Sequence, residues 1–266
     1  MPDIHQGFQD DRQGETEVLM NFLDAIDGLS SVKQYKQRML DAVPVQPGDR
    51  ILEIGCGVGL EAQRLANLVG PQGRIVGIDK SELMISEARR RIAGTSLPIE
   101  FHVGDVHQLD FADGSFDLCR SERVLLYLED VQCALEEMLR VVRPGGKLVL
   151  FDLDYGGVVV DAPDCELTRR IGQILTDSAP HGWIGRQLPR FFRSHGLLDV
   201  AIASHSILLS YPLFRRVTEG PLERLVGTGE LTEDEVAVWL ADLEEADREK
   251  HFFCAVLGFI VSGKKP

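Results

Sequence analysis

Three glycines at alternate positions, Gly55, Gly57 and Gly59, are the residues of this 266-residue chain whose spacing points most directly to chemistry. They follow Ile51, Leu52 and Ile54, the apolar composition of a short buried strand. From residue 60 to 69 the apolar period becomes helical. A glycine loop between strand and helix lets a ligand approach bare backbone, and the helix N-terminus beyond it favours anionic groups. Side chains able to work with such a loop recur downstream. Asp79 ends a second apolar run, twenty residues after Gly59, where a carboxylate can accept hydrogen bonds from both hydroxyls of a ribose. Its alternative is a helix cap, a role that Ser81 fills better. Asp105 follows a third run, and Arg120-Ser121-Glu122-Arg123 closes a fourth. No Ser/His/Asp triad, metal-ligand cluster or Gly-Lys-Ser/Thr phosphate loop competes in the sequence.

These residues need an alternation of strands and helices to hold them. Helical periodicity is expected over 16–28 (Leu19, Phe22, Leu23, Ile26) and again through Val32, Tyr35, Met39 and Leu40, with Pro44 and Pro47-Gly48 ending it. Strands are expected at 73–79, 99–104, 116–120 and 147–151, with helices ending near Gly94 and covering 130–142. Strand–helix repetition implies a parallel sheet with right-handed crossovers. Beyond Asp154 the pattern predicts helices over 163–178 and 186–195, a loop at 181–185 and a sixth strand at 199–210. It then predicts an irregular stretch at 211–231, a helix over 232–250 with Thr232 and Glu235 as a capping box, and a last strand at 251–262.

Bulk properties narrow the function classes. The formal charge of −14 argues against a phosphate-backbone grip. The one tight basic run, Arg89-Arg90-Arg91, sits late in a helix, where cations suit the dipole. No apolar run approaches the roughly 20 residues a membrane span needs. Five scattered cysteines without a Cys-x-x-Cys pair favour a reducing compartment, so the cytoplasm is the expected location. The partner is expected to be a small molecule rather than nucleic acid, and the protein a monomer or homodimer.

A dinucleotide fingerprint wants Gly or Ala three residues after its second glycine, where this chain has Leu60. The segment Glu53-Ile54-Gly55-Cys56-Gly57-Val58-Gly59 instead resembles the first motif of class I S-adenosylmethionine-dependent methyltransferases. The Phe116-Asp117 pair and Leu139-Arg140-Val141-Val142-Arg143-Pro144-Gly145-Gly146 are similar to later segments of that family, so the resemblance runs in order from about residue 46 to 155. It implies a Rossmann-like α/β fold: a seven-stranded, mostly parallel sheet with an antiparallel last strand, helices on both faces and a helical lid. Residues 1–43 would form N-terminal helices belonging to that lid. Residues 44–266 would form the core, with lid insertions at about 155–186 and 211–249. The small-molecule enzymes of ubiquinone, menaquinone and bacterial secondary metabolism are the nearest resemblance.

The resemblance implies S-adenosylmethionine as cofactor and S-adenosylhomocysteine as product, held by Glu53, Gly55, Cys56, Gly57, Gly59, Asp79, Lys80, Gly104, Asp105, Val106, Arg120 and Ser121. Asp105 would take the adenine amino group. Met84 would pack on the adenine or, alternatively, fill the core. Tyr35 and Arg38 would close over the methionine half, Arg38 pairing its carboxylate; otherwise Tyr35 is core and Arg38 surface. Toward the acceptor, His181 could act as a base or be a surface loop histidine. Glu122 could steer an amine, contact the methionine ammonium, or pair with Arg123. Tyr127, Tyr155 and Trp183 could line the acceptor pocket. The expected reaction is in-line methyl transfer to carbon, oxygen or nitrogen of a small, apolar or aromatic metabolite. A protein that keeps the cofactor pocket for a non-methylating reaction is the alternative.

Overall fold

The structure is a computed structural model that describes residues 13–266. Its strands are β1 (Arg50–Ile54), β2 (Arg74–Asp79), β3 (Ile99–Val103), β4 (Phe116–Glu122), β5 (Val142–Val160), β6 (Leu198–Leu208) and β7 (Cys254–Lys264). They form one seven-stranded sheet in the order β3-β2-β1-β4-β5-β7-β6. Pairing is parallel from β3 to β5, and β7 runs antiparallel between β5 and β6. This is the class I methyltransferase sheet that the motifs implied.

The helices are α1 (Gln13–Asp27), α2 (Ser30–Ala42), α3 (Leu60–Val69), α4 (Glu82–Ile92), α5 (Val131–Val141), α6 (Cys165–Ser178), α7 (Ile184–Ser194), α8 (Tyr211–Gly227) and α9 (Glu233–Arg248). Ile51, Ile75, Leu118, Val149 and Phe151 meet the apolar sides of α1 to α4 on one face of the sheet. Leu52, Ile54, Val76, Cys119 and Leu150 meet α5 and α7 on the other. Central strands buried on both faces explain the continuous apolar runs in the sequence. Helix starts follow from local chemistry: the Ser81 hydroxyl accepts from the Met84 N–H and the Asp130 carboxylate from the Cys133 N–H. Thr232 and Glu235 form the expected capping box.

A third core belongs to α6, α8, α9 and the overhanging ends of β5 and β7, with Ile171, Phe214, Leu222, Leu225, Trp239 and Leu243 buried together. The Trp239 indole donates to the Thr168 hydroxyl at 3.0 Å, and Arg170 pairs with Glu235. Two expectations for this region change. The fifth strand does not stop at Phe151 but continues to Val160, because β7 pairs with it as far as Cys254↔Val160. A register shift between Asp154 and Val159 absorbs Gly156-Gly157. The stretch after Tyr211, expected to be irregular, is α8. Pro212 sits in the first turn, where it costs no hydrogen bond. Burial of Phe214, Thr218, Pro221, Leu222 and Leu225 along one side outweighs the roughly 3 kcal/mol penalty of Pro221 inside the helix.

Candidate functional site

The strand order reverses between β1 and β4, which opens a crevice at their carboxyl ends. Register brings the pieces together: Ile54 lies opposite Ile78 on β2 and Ser121 on β4. Gly55, Gly57 and Gly59 all take positive φ, at 65°, 50° and 74°. A Cβ on Gly55 would lie 2.2 Å from Val124, and one on Gly59 would lie 2.4 Å from Phe101, so the loop tolerates no side chain at either position. The Cys56 N–H donates to the Ile78 carbonyl at 2.9 Å, and the Cys56 side chain is buried. Asp79 faces the loop directly: its carboxylate accepts from the Gly57 N–H at 2.9 Å and from the Ser81 N–H at 3.0 Å. Leu23 of α1 lies against the loop, its methyl 3.4 Å from a Cβ built on Gly57.

Farther along the edge, the Gly104 N–H donates to the Asp79 carbonyl at 3.0 Å and Val106 is buried. The Asp105 carboxylate accepts from the His107 N–H at 2.9 Å and contacts its ring nitrogen at 2.6 Å. That N–H, with the imidazole and Lys80 adding to it, holds Asp105 below the usual carboxylate range against the effect of burial. Lys80 is exposed beside the loop. Met84 stands 3% exposed within the core between sheet and helices, so its placement is that of a packing residue.

The methionine end of such a site is built from charges that the sequence motifs did not reveal. Tyr35 of α2 is fully buried, stacks on Phe151 with centroids 3.9 Å apart, and donates its hydroxyl to Glu122 Oε1 at 2.5 Å. Lys36 Nζ lies 2.8 Å from Asp27, 3.3 Å from Glu61 and 3.6 Å from Glu122. Arg120, 1% exposed, reaches Glu61 at 3.1 Å and Glu122 at 3.3 Å. Arg64 pairs with Asp27 and with Glu61. Burial alone would raise the Glu122 carboxyl, but Lys36, Arg123 and Arg120 outweigh it and hold it at about 2. Arg38 does not join this network. One helical position away from the inward face, its guanidinium donates to the Ser204 carbonyl of β6 at 3.1 Å on the exposed side. The expected pairing of Arg38 with the methionine carboxylate therefore has no support in its placement, and Lys36 is the inward cation of α2. A lysine at that position carried no motif; its approach to three carboxylates appears only once α1, α2, α3 and β4 are assembled.

Glu53 is the exception among these carboxylates. Burial pushes it up to about 7 against the pull of Arg120, and its Oε2 has no partner among the described residues. Between the ordinary value of 4.5 and about 7 the folded state binds the extra proton. Stability from this group is therefore fully present below the unfolded value and is lost as pH rises through the folded one. We expect Glu53→Gln to flatten the fall in Tm between about pH 5 and about pH 8, leaving the same-sense slope of Asp152, which burial also pushes to about 7. Parallel melting curves for variant and parent across that range would refute this.

On the acceptor side, Asp152 is fully buried and accepts from the Leu125 N–H at 2.8 Å, fixing the turn that carries Tyr127. The hydroxyls of Tyr127 and Tyr155 interact. The Tyr155 N–H donates to the Gly182 carbonyl at 2.8 Å, tying β5 to the turn that holds His181. His181 is half-buried in that turn, its carbonyl accepting from the Ile184 N–H. Trp183 lies over Gly156, and Arg186 stacks on its ring at 4.3 Å while clasping the buried Asp154.

A family model described as a methyltransferase domain matches residues 52–150. An uncharacterized 37.1 kDa protein of a Streptomyces fradiae transposon is 36% identical over 252 residues, covering 91% of this chain and 70% of that protein. The chain belongs to the class I S-adenosylmethionine-dependent methyltransferases. The demethylmenaquinone methyltransferase of Desulfitobacterium hafniense is 37% identical over 123 residues. That match covers 46% of this chain and spans about half, 49%, of the relative. Haemonchus contortus phosphoethanolamine N-methyltransferase 2, solved with S-adenosylmethionine, shares the fold at a TM-score of 0.61 and 17% identity, over 100% of this chain and 60% of that one.

The residues fit the family's methyl donor. The side-chain-free loop leaves room for close approach, and Asp79 presents a carboxylate at the end of β2. Ser121 Oγ and Glu53 Oε2 are buried polar atoms without partners among the described residues, on the strands that flank the loop. Bound there, S-adenosylmethionine supplies an electrophilic methyl group on a sulfonium. The chain's part is to hold, align and exclude water.

Proposed function

We propose that this methyltransferase acts on a carbon, oxygen or nitrogen of a small, apolar or aromatic metabolite. The observation that carries the reading is the pairing of Tyr127, in the turn after β4, with Tyr155 within β5; Val124 of the same turn packs on Gly55 of the glycine loop. These rings offer an apolar, hydroxyl-bearing wall to a flat acceptor. The partial match to a demethylmenaquinone methyltransferase supports the same class. Glu53, Gly55, Gly57, Gly59, Asp79, Asp105 and Ser121 hold the cofactor in this reading. Residues 15–43, with the insertions at about 155–186 and 211–249, serve as the lid. The −14 charge supports a small-molecule acceptor over nucleic acid. Among the described residues no helix is long and apolar enough to cross a membrane, and we place the enzyme in the cytoplasm as a monomer or homodimer.

Incubation with methyl-labelled S-adenosylmethionine and a cell extract tests this. Label is expected among small organic molecules. Label in protein or RNA would overturn the substrate class, and intact cofactor binding without any transfer would favour a non-methylating reaction.

A further inference from the structure

The carboxyl end of β4 carries a cation whose guanidinium the buried network engages only in part. Asp27, Glu61 and Glu122 are matched by Lys36, Arg64 and Arg120. Arg123 is a fourth cation. Its single ion pair among the described residues, 3.2 Å to Glu122 Oε1, goes to an oxygen that already accepts from Tyr35. Its Nε is buried without a partner among the described residues, and its side chain is 19% exposed. The backbone is held in the left-handed region at φ 57°, with its N–H donating to the Phe151 carbonyl at 2.8 Å. An arginine gains nothing locally from that conformation, and such outliers persist where surrounding structure enforces them for a purpose. The guanidinium is electrostatically coupled to the phenols of Tyr35 and Tyr127, the second of which leads to Tyr155. It therefore stands between the lid helix α2 and the proposed acceptor wall.

We propose that Arg123 is the seat for an anionic oxygen of the acceptor, so that the enzyme takes molecules with an ionised phenol or enol. This rests on the reading of Tyr127 and Tyr155 as the acceptor wall. A guanidinium with an open edge holds an oxyanion through directed N–H groups and stabilises it over the neutral hydroxyl. An acceptor bound this way has already given its proton to solvent. Its oxygen, or the carbon conjugated to it, supplies the electron pair of the new bond to the methyl carbon as the S–CH₃ bond breaks and S-adenosylhomocysteine leaves; a carbon so methylated then gives its own proton to solvent, and no general base is required at transfer. His181 then needs no proton-transfer role.

The test uses the whole protein loaded with S-adenosylhomocysteine and three probes: 4-nitrophenol, whose colour reports ionisation, its neutral methyl ether, and benzoate. We expect bound 4-nitrophenol to ionise more readily than in solution, by about tenfold in its acid constant, and the ether to bind at least about tenfold more weakly. Arg123→Asn should abolish the colour shift; asparagine tolerates left-handed backbone, so the turn survives. Arg123→Lys should retain part of it. Benzoate that displaces the phenolate with higher affinity assigns the seat to a carboxylate; failure to displace assigns it to an acidic hydroxyl. Equal binding of phenol and ether, a shift that survives Arg123→Asn, or no binding of 4-nitrophenol overturns the proposal. Failure of S-adenosylhomocysteine itself to bind would strike instead at the functional reading.

Discussion

Asp79→Ala is expected to weaken S-adenosylhomocysteine binding by about 10²- to 10⁴-fold, because it removes two hydrogen bonds to a charged acceptor, each contributing roughly 1.5–3 kcal/mol. The same carboxylate holds the Gly57 and Ser81 N–H groups, so the variant should also lose about 1–3 kcal/mol of stability. Asp79→Asn separates the two effects. Its amide oxygen can still accept from the loop, restoring much of the melting temperature, while its NH₂ cannot accept a ribose hydroxyl. Calorimetric titration alongside thermal melting reads both quantities. Affinity within threefold of the parent in the alanine variant would remove Asp79 from the cofactor site.

Lys36→Met should be the most destabilising substitution in the buried network. Its Nζ faces Asp27, Glu61 and Glu122, with the lysine side chain 8% exposed. Removing one partner of a buried ion group leaves uncompensated charge and costs about 3–5 kcal/mol. Burial already works against Glu122, and Lys36 is the largest of the charges that hold it near 2. Without it the carboxyl rises, so the deficit is greatest at neutral pH and shrinks as acid protonates Glu122. Chemical denaturation at about pH 7 and about pH 5 measures this. Adding Glu61→Gln should recover part of the loss, since the two sites share partners. A loss under about 1 kcal/mol at neutral pH would mean that the cluster is not electrostatically coupled as its distances indicate.

The cofactor half was legible because its chemistry depends on backbone. Three glycines, a carboxylate at a strand end and a Pro-Gly-Gly stop are local patterns, and each marks where the chain must turn. Arg38 stood open between two readings, and its place on the exposed side favours the surface one: a two-residue difference on α2 decides whether a cation faces Glu122 or β6, and a helix with polar residues on several sides does not announce its buried edge. Asp27, Lys36, Glu61 and Arg120 form their cluster across four elements, with no spacing in the sequence to reveal it. The extension of β5 was hidden in the same way: Gly156-Gly157 reads as a break until β7 is seen pairing past it. In α8 the prolines and glycines argued for a loop, while the buried side that overrides them was visible in Phe214, Leu222 and Leu225.

The third core has a consequence for how such an enzyme diversifies. Ile171 comes from α6, and Phe214, Leu225, Trp239 and Leu243 come from α8 and α9 more than thirty residues later, yet they bury one another on the overhang of β5 and β7. Neither segment can shield its apolar side alone. A lineage that exchanged one segment by recombination would inherit an uncovered face, whereas exchange of both carries a complete covering to a new acceptor. The two segments thus make one cover, although α7 and β6 lie between them in the chain.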